Sequence, residues 1–472
     1  MNPAHAQLIE RVAARFGERA ASTNPADIEP WLSDWRGRFH GQSEAILSPS
    51  STEEVAAIVR LANQLGVPLV PQGGNTGMVA GATPPEDGSA LLLSLRRLNR
   101  IRSIDADAGL AIAEAGVILA TLHAAAHELD RRFPLTLGAR GSCTVGGLVA
   151  TNAGGTQVLR FGTMRSLVLG IEAVLADGTV HDGLSGLKKD NRGYSLDQLL
   201  VGSEGTLGII TAAALRLVPE ISGRGVAWLG LASPADALSV LRELERGTSH
   251  VEGFEIVPAD SLALVLKHIP GTRAPLEGEH AWHVLVELTD DGSLDEAPEA
   301  MLAKLLAPLI DSGLVEDAVI TSNEAQAEAF WRIRDSISEA ERTDGPTLAH
   351  DISVPVGDMP RFMIEAAAEV ELAFPGTLAS GFGHLGDGNV HFHVRGAASA
   401  APDWYERESP GITRMVHDLV TAAGGSISAE HGIGQMKRDE LARLAPERVT
   451  ALKAIKHALD PKGIMNPGKL IA

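Results

Sequence analysis

Cysteine is almost absent from this sequence: among its 472 residues, Cys143 is the only one. A single thiol cannot form an intramolecular disulfide, a CxxC zinc ribbon or a cysteine-ligated iron–sulfur cluster. A bound metal would therefore need nitrogen and oxygen ligands from histidine and carboxylate side chains.

Positive charge and long apolar runs are scarce as well. The sequence has 40 Lys and Arg residues against 60 Asp and Glu, a formal charge of −20, which argues against binding to nucleic acid or to an anionic membrane. No apolar run approaches the roughly 18 residues of a membrane span. Glu10 and Glu18 stand where a signal peptide would be apolar. The sequence thus predicts a cytoplasmic protein without a transmembrane segment.

Glycine, in contrast, is abundant: 50 of 472 residues, nearly 11%, against an average of about 7%. The first glycine cluster follows a predicted β-α-β unit over residues 45–70, whose helix begins near Glu53 and ends at Gly66. Residues 71–81 then contain four glycines in eleven positions. Such a loop can aim several backbone N–H groups at one anion, although a mobile hairpin loop would have the same composition.

A second cluster has seven glycines within residues 138–162, interleaved with apolar and β-branched residues that a flexible linker would lack. A hairpin with Asp177-Gly178 as its turn is predicted next. It is followed by a helix, a glycine-rich turn and a strand over residues 194–219. We therefore predict one α+β domain over residues 1–219, with two close backbone approaches to a ligand.

Helical patterns dominate from residue 220 to 424, with strand candidates between them, which predicts a second, mixed α/β domain. Three of the sixteen histidines fall within residues 381–394. The GxGxxG match in this segment leads into a strand, so it is not a dinucleotide fingerprint. Alternation places His391 and His393 on one side of that strand, where His384 could join them as a transition-metal site.

Two further segments could contribute to chemistry. Glu430 and His431 lie in a glycine-flanked turn and could supply one metal ligand and one general base, or they could be polar residues of an exposed loop. Arg332 and Arg334 lie on a predicted helix, either as surface charges or as partners of a substrate carboxylate. The sequence has no G-x-S-x-G motif, which argues against a serine hydrolase.

Six ordered segments, PQGGNTG, GSCTVGGLVATNAGG, GSEGTLGIIT, GHLGDGNVH, AEHGIG and DPKGIMNPGK, resemble those of FAD-linked oxidoreductases with the vanillyl-alcohol oxidase/p-cresol methylhydroxylase (PCMH-type) fold. The similarity is to their D-lactate and D-2-hydroxyglutarate dehydrogenase branch. It implies an α+β fold: a PCMH-type FAD-binding domain of two α+β subdomains (1–219), a mixed α/β substrate or cap domain (220–424), and a C-terminal segment (425–472) that returns to the flavin.

The resemblance also implies which residues bind FAD. These residues are Gly73, Gly74, Asn75, Thr76, Gly77, Ser142, Gly146, Gly147, Asn152, Gly155, Gly162, Gly208, Ile209 and Asn466. Some relatives attach FAD covalently through a histidine of the first loop, but residues 71–81 contain none. Non-covalent FAD is therefore expected.

For the reaction, the resemblance implies a divalent metal, usually zinc, bound by His384, His391 and Glu430. Arg334 would hold the substrate carboxylate, with Ser338 and His393 also contacting the substrate. His431 would accept the hydroxyl proton of a D-2-hydroxy acid as hydride moves from C2 to flavin N5.

One position at which this sequence differs from the related proteins restricts the choice of substrate. In 2-hydroxyglutarate-type relatives a lysine stands where this sequence has Ala349, so the cation that could pair with a second carboxylate is missing. This favours a monocarboxylate such as D-lactate over D-2-hydroxyglutarate.

Other possibilities are a non-catalytic flavin-binding subunit of a glycolate-oxidase-like complex and a non-flavin metallohydrolase. The electron acceptor, whether an electron-transfer flavoprotein, a quinone or a cytochrome, is left open. So is the oligomeric state, including a homodimer.

Overall fold

The computed structural model describes residues 2–187, 189–397, 399–401 and 403–471. The chain divides into two compact units. The first comprises Met1–Gly155, Phe161–Glu220 and Glu430–Ala472, and the second comprises Thr156–Arg160 and Ile221–Ala429. The predicted domains 1–219, 220–424 and 425–472 divide the chain at nearby positions, but the short excursion Thr156–Arg160 into the second unit was not predicted.

The first unit contains most of the short strands. Its strands are β1 (Ala21–Ser22), β2 (Ile46–Leu47), β3 (Leu69–Gln72), β4 (Leu91–Ser94), β5 (Ile101–Asp105), β6 (Leu110–Glu114), β7 (Arg131–Arg132), β8 (Val168–Val174), β9 (Val180–Asp182), β10 (Ile209–Arg216) and β11 (Val218–Pro219). Its helices are α1 (Pro3–Phe16), α2 (Pro25–Ile28), α3 (Thr52–Leu65), α4 (Leu119–His127), α5 (Val145–Thr151), α7 (Met164–Leu167), α8 (Leu196–Leu200), α16 (Arg438–Leu444) and α17 (Pro446–Leu459). Helix α6 (Val158–Phe161) lies where the chain passes between the units.

Helix α3 shows how the local sequence sets an element. Ser51 caps its first turn by accepting a hydrogen bond from the Glu54 amide (3.3 Å), and Gly66 ends it with a left-handed φ of 67°. Val55 and Ile58 of its apolar stripe are fully buried. The predicted helix is confirmed at both ends.

Within the described residues, the first unit has two main sheets. The four-stranded sheet has the order β1-β2-β4-β3, and both β2 and β3 run parallel to β4. The two strands of the predicted β-α-β unit are therefore separated by β4. The five-stranded antiparallel sheet has the order β5-β6-β10-β8-β9. Two hydrophobic cores pack against these sheets, one mainly against each, which agrees with the predicted α+β architecture.

The predicted hairpin is formed by β8 and β9, with Val174 opposite Val180. Its turn is longer than the predicted two-residue turn. The Leu175 amide donates a hydrogen bond to the Thr179 carbonyl (2.9 Å), and Asp177 and Gly178 lie between these two residues.

The second unit is built on one large sheet. Its strands are β12 (Gly223–Leu231), β13 (Val251–Pro258), β14 (Trp282–Asp290), β15 (Asp317–Ile320), β16 (Thr347–Ser353), β17 (Thr377–His384) and β18 (Asn389–Gly396). Its helices are α9 (Pro234–Gly247), α10 (Ala259–His268), α11 (Pro298–Asp311), α12 (Glu324–Asp335), α13 (Ile337–Asp344), α14 (Met359–Ala373) and α15 (Trp404–Ala422). In the described part of the chain the sheet is antiparallel with the order β15-β12-β14-β13-β17-β18-β16.

The two faces of this sheet differ, because side chains alternate along each strand. Val390, Phe392 and Val394 point into the larger core, which contains residues of α9, α11, α14 and α15. The alternate residues of β18, His391 and His393, share the opposite face with Phe382, which packs with residues of α10, α12 and α13.

Among the described residues, no helix combines the length and the apolar composition needed to cross a bilayer.

Candidate active site

The first unit contains a cavity of about 650 Å³. Three glycine-rich segments line it: the loop after β3, the residues around the start of α5, and the turn that enters β10. The predicted FAD residues in its wall are Gly73, Gly74, Asn75, Thr76, Gly77, Ser142, Gly146, Gly147, Gly208 and Ile209. The structure thus brings together, around one space, segments that are far apart in sequence.

Glycine is required in the first loop because two backbone segments approach each other closely. A Cβ on Gly74 would lie 2.0 Å from the Ser142 carbonyl oxygen, and one on Gly73 would lie 2.2 Å from Thr144 Oγ1. The loop is further fixed by Asn75, which has a left-handed φ of 53° and donates from Nδ2 to the Ser33 carbonyl (2.8 Å). The cavity wall is therefore a preformed backbone surface.

Four predicted FAD residues do not line this cavity. Asn152 ends α5 in a left-handed conformation and accepts a hydrogen bond from the Arg165 amide at 2.8 Å. A Cβ on Gly155 would lie 2.2 Å from the Thr136 carbonyl oxygen, and Gly162 has a left-handed φ of 77°. Their contact with FAD stays a prediction.

Asn466 is the fourth. It is buried, and its Nδ2 donates to the carbonyl oxygens of Gly81 (3.0 Å) and Glu204 (2.6 Å). Its Oδ1 is buried without a hydrogen-bond partner among the described residues. Asn466 therefore joins two segments of the cavity wall from behind.

The cavity wall also contains residues that were not predicted as FAD ligands, among them Trp35, Thr144 and Glu204. Glu204 lies in the GSEGTLG segment, where the pattern of glycines predicts a close backbone approach and says nothing about the carboxylate. Glu430 and His431 line the same cavity, so the predicted base lies at the predicted cofactor site.

The residues present fit FAD. The walls combine glycine backbone with apolar side chains, and Thr144 Oγ1 is a buried polar atom without a hydrogen-bond partner in the described structure. A bound polar ligand would satisfy it.

The second unit contains a histidine cluster, which we define as His384, His391 and His393. His384 ends β17, and the other two lie on β18 on the same face. The rings of His384 and His391 are 5.4 Å apart between centroids. The structure thus brings two of the three predicted metal ligands together.

An ion-pair network holds His384. Glu255 on β13 accepts a hydrogen bond from His384 Nδ1 at 2.5 Å and from Arg334 Nε at 2.8 Å, and it is fully buried. Burial opposes ionisation of this carboxyl, but the positive charges of Arg334 and His384 lower the pKa of Glu255 to about 2. This pairing fixes the ring that the sequence predicts as a ligand.

Desolvation lowers the pKa of His391 well below its usual range, and the Arg334 guanidinium acts in the same direction. A neutral imidazole is the form that binds a metal. Two imidazoles, one of them oriented by a carboxylate, are a donor set that suits zinc. Glu430 belongs to the first unit, so the three-ligand site stays a prediction.

The predicted substrate contacts have distinct positions within the second unit. His393 is buried, and its Nδ1 is hydrogen-bonded to the Glu341 carboxylate of α13. Ser338 is half-buried on the same helix, and Ala349 lies opposite His393 in the sheet register. Glu255 and Glu341, which hold the two histidines, were missed because their spacing shows no pattern in the sequence.

Comparison with known proteins defines the class. A family described as "FAD binding domain" matches residues 43–183, and "FAD linked oxidases, C-terminal domain" matches residues 222–470. A solved structure of p-cresol methylhydroxylase with substrate bound has the same fold, with a TM-score of 0.73 and 16% identity over 100% of this chain and 97% of that chain. The fold is the PCMH-type fold.

Two relatives narrow the class further. The D-2-hydroxyglutarate dehydrogenase of Bos taurus, named as mitochondrial, is 38% identical over 95% of this chain and 80% of that protein. The mitochondrial enzyme of the same name from Arabidopsis thaliana is 36% identical over 100% of this chain and 83% of that protein. The chain belongs to the FAD-linked oxidase family and is a FAD-dependent dehydrogenase.

Proposed function

We propose that this protein oxidises a D-2-hydroxy acid to the corresponding 2-oxo acid, with non-covalent FAD and a divalent metal, most simply zinc. The observation that supports this most strongly is the network of the second unit, in which Glu255 joins Arg334 to His384 beside His391. It combines a guanidinium suited to a carboxylate with imidazoles suited to a metal. The names of the two relatives support the substrate class.

Each residue has a proposed role. FAD, when bound, supplies the hydride acceptor; a divalent metal, when bound by His384, His391 and Glu430, polarises the substrate hydroxyl. Arg334 binds the substrate carboxylate and orients C2. His431, in the wall of the cavity, accepts the hydroxyl proton on its imidazole.

For the substrate, we propose a monocarboxylate such as D-lactate or a longer D-2-hydroxy acid. Ala349 supplies no charge, and His393 opposite it is already bonded to Glu341. Arg395, the next cation along β18, is paired with Asp260 at 2.8 Å. The second candidate is D-2-hydroxyglutarate, which the relatives' names favour.

An anaerobic panel of D-2-hydroxy acids tests these alternatives through loss of the oxidised flavin absorbance. We expect faster reduction by D-lactate or a longer monocarboxylate than by D-2-hydroxyglutarate. Ala349→Lys should improve reduction by D-2-hydroxyglutarate, whereas the control Ala349→Met, of similar length, should not. Much faster reduction of the wild-type protein by D-2-hydroxyglutarate would overturn the monocarboxylate preference.

Metal analysis tests the other half of the proposal. His384→Ala should lose bound zinc and turnover while keeping FAD, whereas His268→Ala, elsewhere in the same unit, should keep all three. Full turnover of His384→Ala without metal would refute the metal site. Yellow colour in the pellet after acid precipitation would contradict non-covalent FAD.

Reduction of a dye by the isolated chain would exclude the alternative that this protein is a non-catalytic flavin-binding subunit of a larger complex. The electron acceptor and the oligomeric state stay open, and the cytoplasmic location stays a prediction; the two relatives are named as mitochondrial.

A further inference from the structure

Glu204 is a buried carboxylate in the wall of the cavity. It lies in the turn between α8 and β10 with a left-handed φ of 52°, which a glutamate rarely adopts. Its backbone is fixed on both sides: its amide donates to the Ala150 carbonyl (2.8 Å), and its carbonyl accepts from Asn466 Nδ2 (2.6 Å). The position of its side chain is therefore set by the surrounding backbone.

The Glu204 carboxylate binds the loop that follows the predicted metal ligand and base. Oε1 accepts a hydrogen bond from the Ile433 amide and Oε2 from the Gly434 amide, both at 2.8 Å. A Cβ on Gly432 would lie 2.9 Å from Oε1, so the loop backbone rests directly on the carboxylate. These two bonds begin two residues after His431.

The other side of this loop is equally close-packed. A Cβ on Gly434 would lie 2.0 Å from the Val79 carbonyl oxygen, which also accepts a hydrogen bond from the Gln435 amide (3.0 Å). The Leu470 amide donates to the Gly434 carbonyl (3.0 Å). The Glu204 carboxylate and the backbone of Val79 and Leu470 thus all bind the loop over residues 432–435.

Burial makes a negative charge on Glu204 unfavourable, and its contacts offset that effect in part. Burial raises the pKa of its carboxyl, and the two loop amides together with the charges of Lys437 and Lys469 act against this rise. A glutamine of the same shape would have one acceptor oxygen, and its NH2 group would face an amide donor. Only a carboxylate can accept from both amides.

We infer that Glu204 is a positioning residue for Glu430 and His431: it fixes their loop at the cavity through the amides of Ile433 and Gly434. The inference rests on the proposed function for its catalytic consequence. We call the two hydrogen bonds from these amides to Glu204 the clamp. All of its residues belong to the first unit.

Glu204→Gln tests the inference, with Glu172→Gln as a matched control. Glu172 is a carboxylate of the same unit that pairs with Arg102 and does not line the cavity. The first measurement needs no substrate: amide hydrogen exchange of residues 430–436 should accelerate in Glu204→Gln and stay unchanged in Glu172→Gln. Equal exchange in the two variants would refute the clamp.

The second measurement is the rate of flavin reduction per bound FAD, with the best D-2-hydroxy acid of the panel at saturation. Loss of a positioning contact should slow it by about 10- to 100-fold in Glu204→Gln, with little change in substrate affinity. A role confined to stability would lower the melting temperature and leave the rate per bound FAD unchanged, and that result would overturn the inference.

A third variant covers the case in which Glu204→Gln loses FAD. Glu204→Asp keeps the charge, tolerates positive φ better, and should retain FAD with an intermediate rate. If both variants lose FAD, the residue serves cofactor retention and the inference is wrong. If wild-type flavin is reduced by no D-2-hydroxy acid, the proposed function fails, while the exchange experiment still decides the clamp.

Discussion

Replacing Glu255 with glutamine should destabilise the metal-free second unit by about 3 to 5 kcal/mol, the usual cost of breaking a buried ion pair from one side. The structure gives the reason. Glu255 is 1% exposed and accepts hydrogen bonds from His384 Nδ1 (2.5 Å) and Arg334 Nε (2.8 Å). Glutamine removes the buried negative charge that the Arg334 guanidinium and the His384 imidazole contact.

The pKa of Glu255 leads to a similar value for the stability that its charge contributes. The pKa of Glu255 falls from its ordinary value of 4.5 to about 2 in the folded protein. That difference corresponds to about 3 kcal/mol of stabilisation by the ionised form. Because the folded-state pKa is the lower one, this stabilisation is present above pH 4.5 and is lost as the pH falls toward 2.

The assay is urea unfolding of wild type and Glu255→Gln at a series of pH values, with EDTA present to remove bound metal. The difference in unfolding free energy should be constant from pH 7 down to about 4.5 and then shrink. Glu365→Gln breaks an exposed ion pair with Arg361 (3.1 Å) on α14 of the same unit and should change little. A loss below about 1 kcal/mol in Glu255→Gln, or one independent of pH, would refute the network as a source of stability.

Two further predictions concern other parts of the chain. Burial and the nearby His280 lower the pKa of His283 to about 4, so wild-type protein should lose about 2 to 3 kcal/mol of stability as the pH falls from 6.5 to 4. His283→Gln should lose less over that range in thermal melts, and parallel curves would contradict this. Gly74→Ala should weaken FAD binding at least about 10-fold in fluorescence titrations, because its Cβ would lie 2.0 Å from the Ser142 carbonyl oxygen. Gly357→Ala, with nothing within 4 Å, is the control, and equal affinity of the two variants would refute the close approach.

The sequence was sufficient for features that depend on neighbouring residues. The Ser51 cap, the apolar stripe and Gly66 determine α3, because capping and periodicity are local properties. The alternation of β18 placed His391 and His393 on one face, and the glycine clusters marked the backbone segments that surround the cavity. The scarcity of cysteine confined any metal site to histidine and carboxylate ligands.

Tertiary structure decided what depends on contacts between distant residues. Glu255 lies 129 residues from His384 and Glu204 lies 230 residues from Gly434, and no periodicity connects either pair. The sequence likewise did not predict that β4 lies between the strands of the β-α-β unit. It also did not predict the break between α12 and α13 at Ser336. Pairing of buried charges and strand order arise from packing of the whole unit, so local sequence could indicate the reactive side chains but not the groups that hold them.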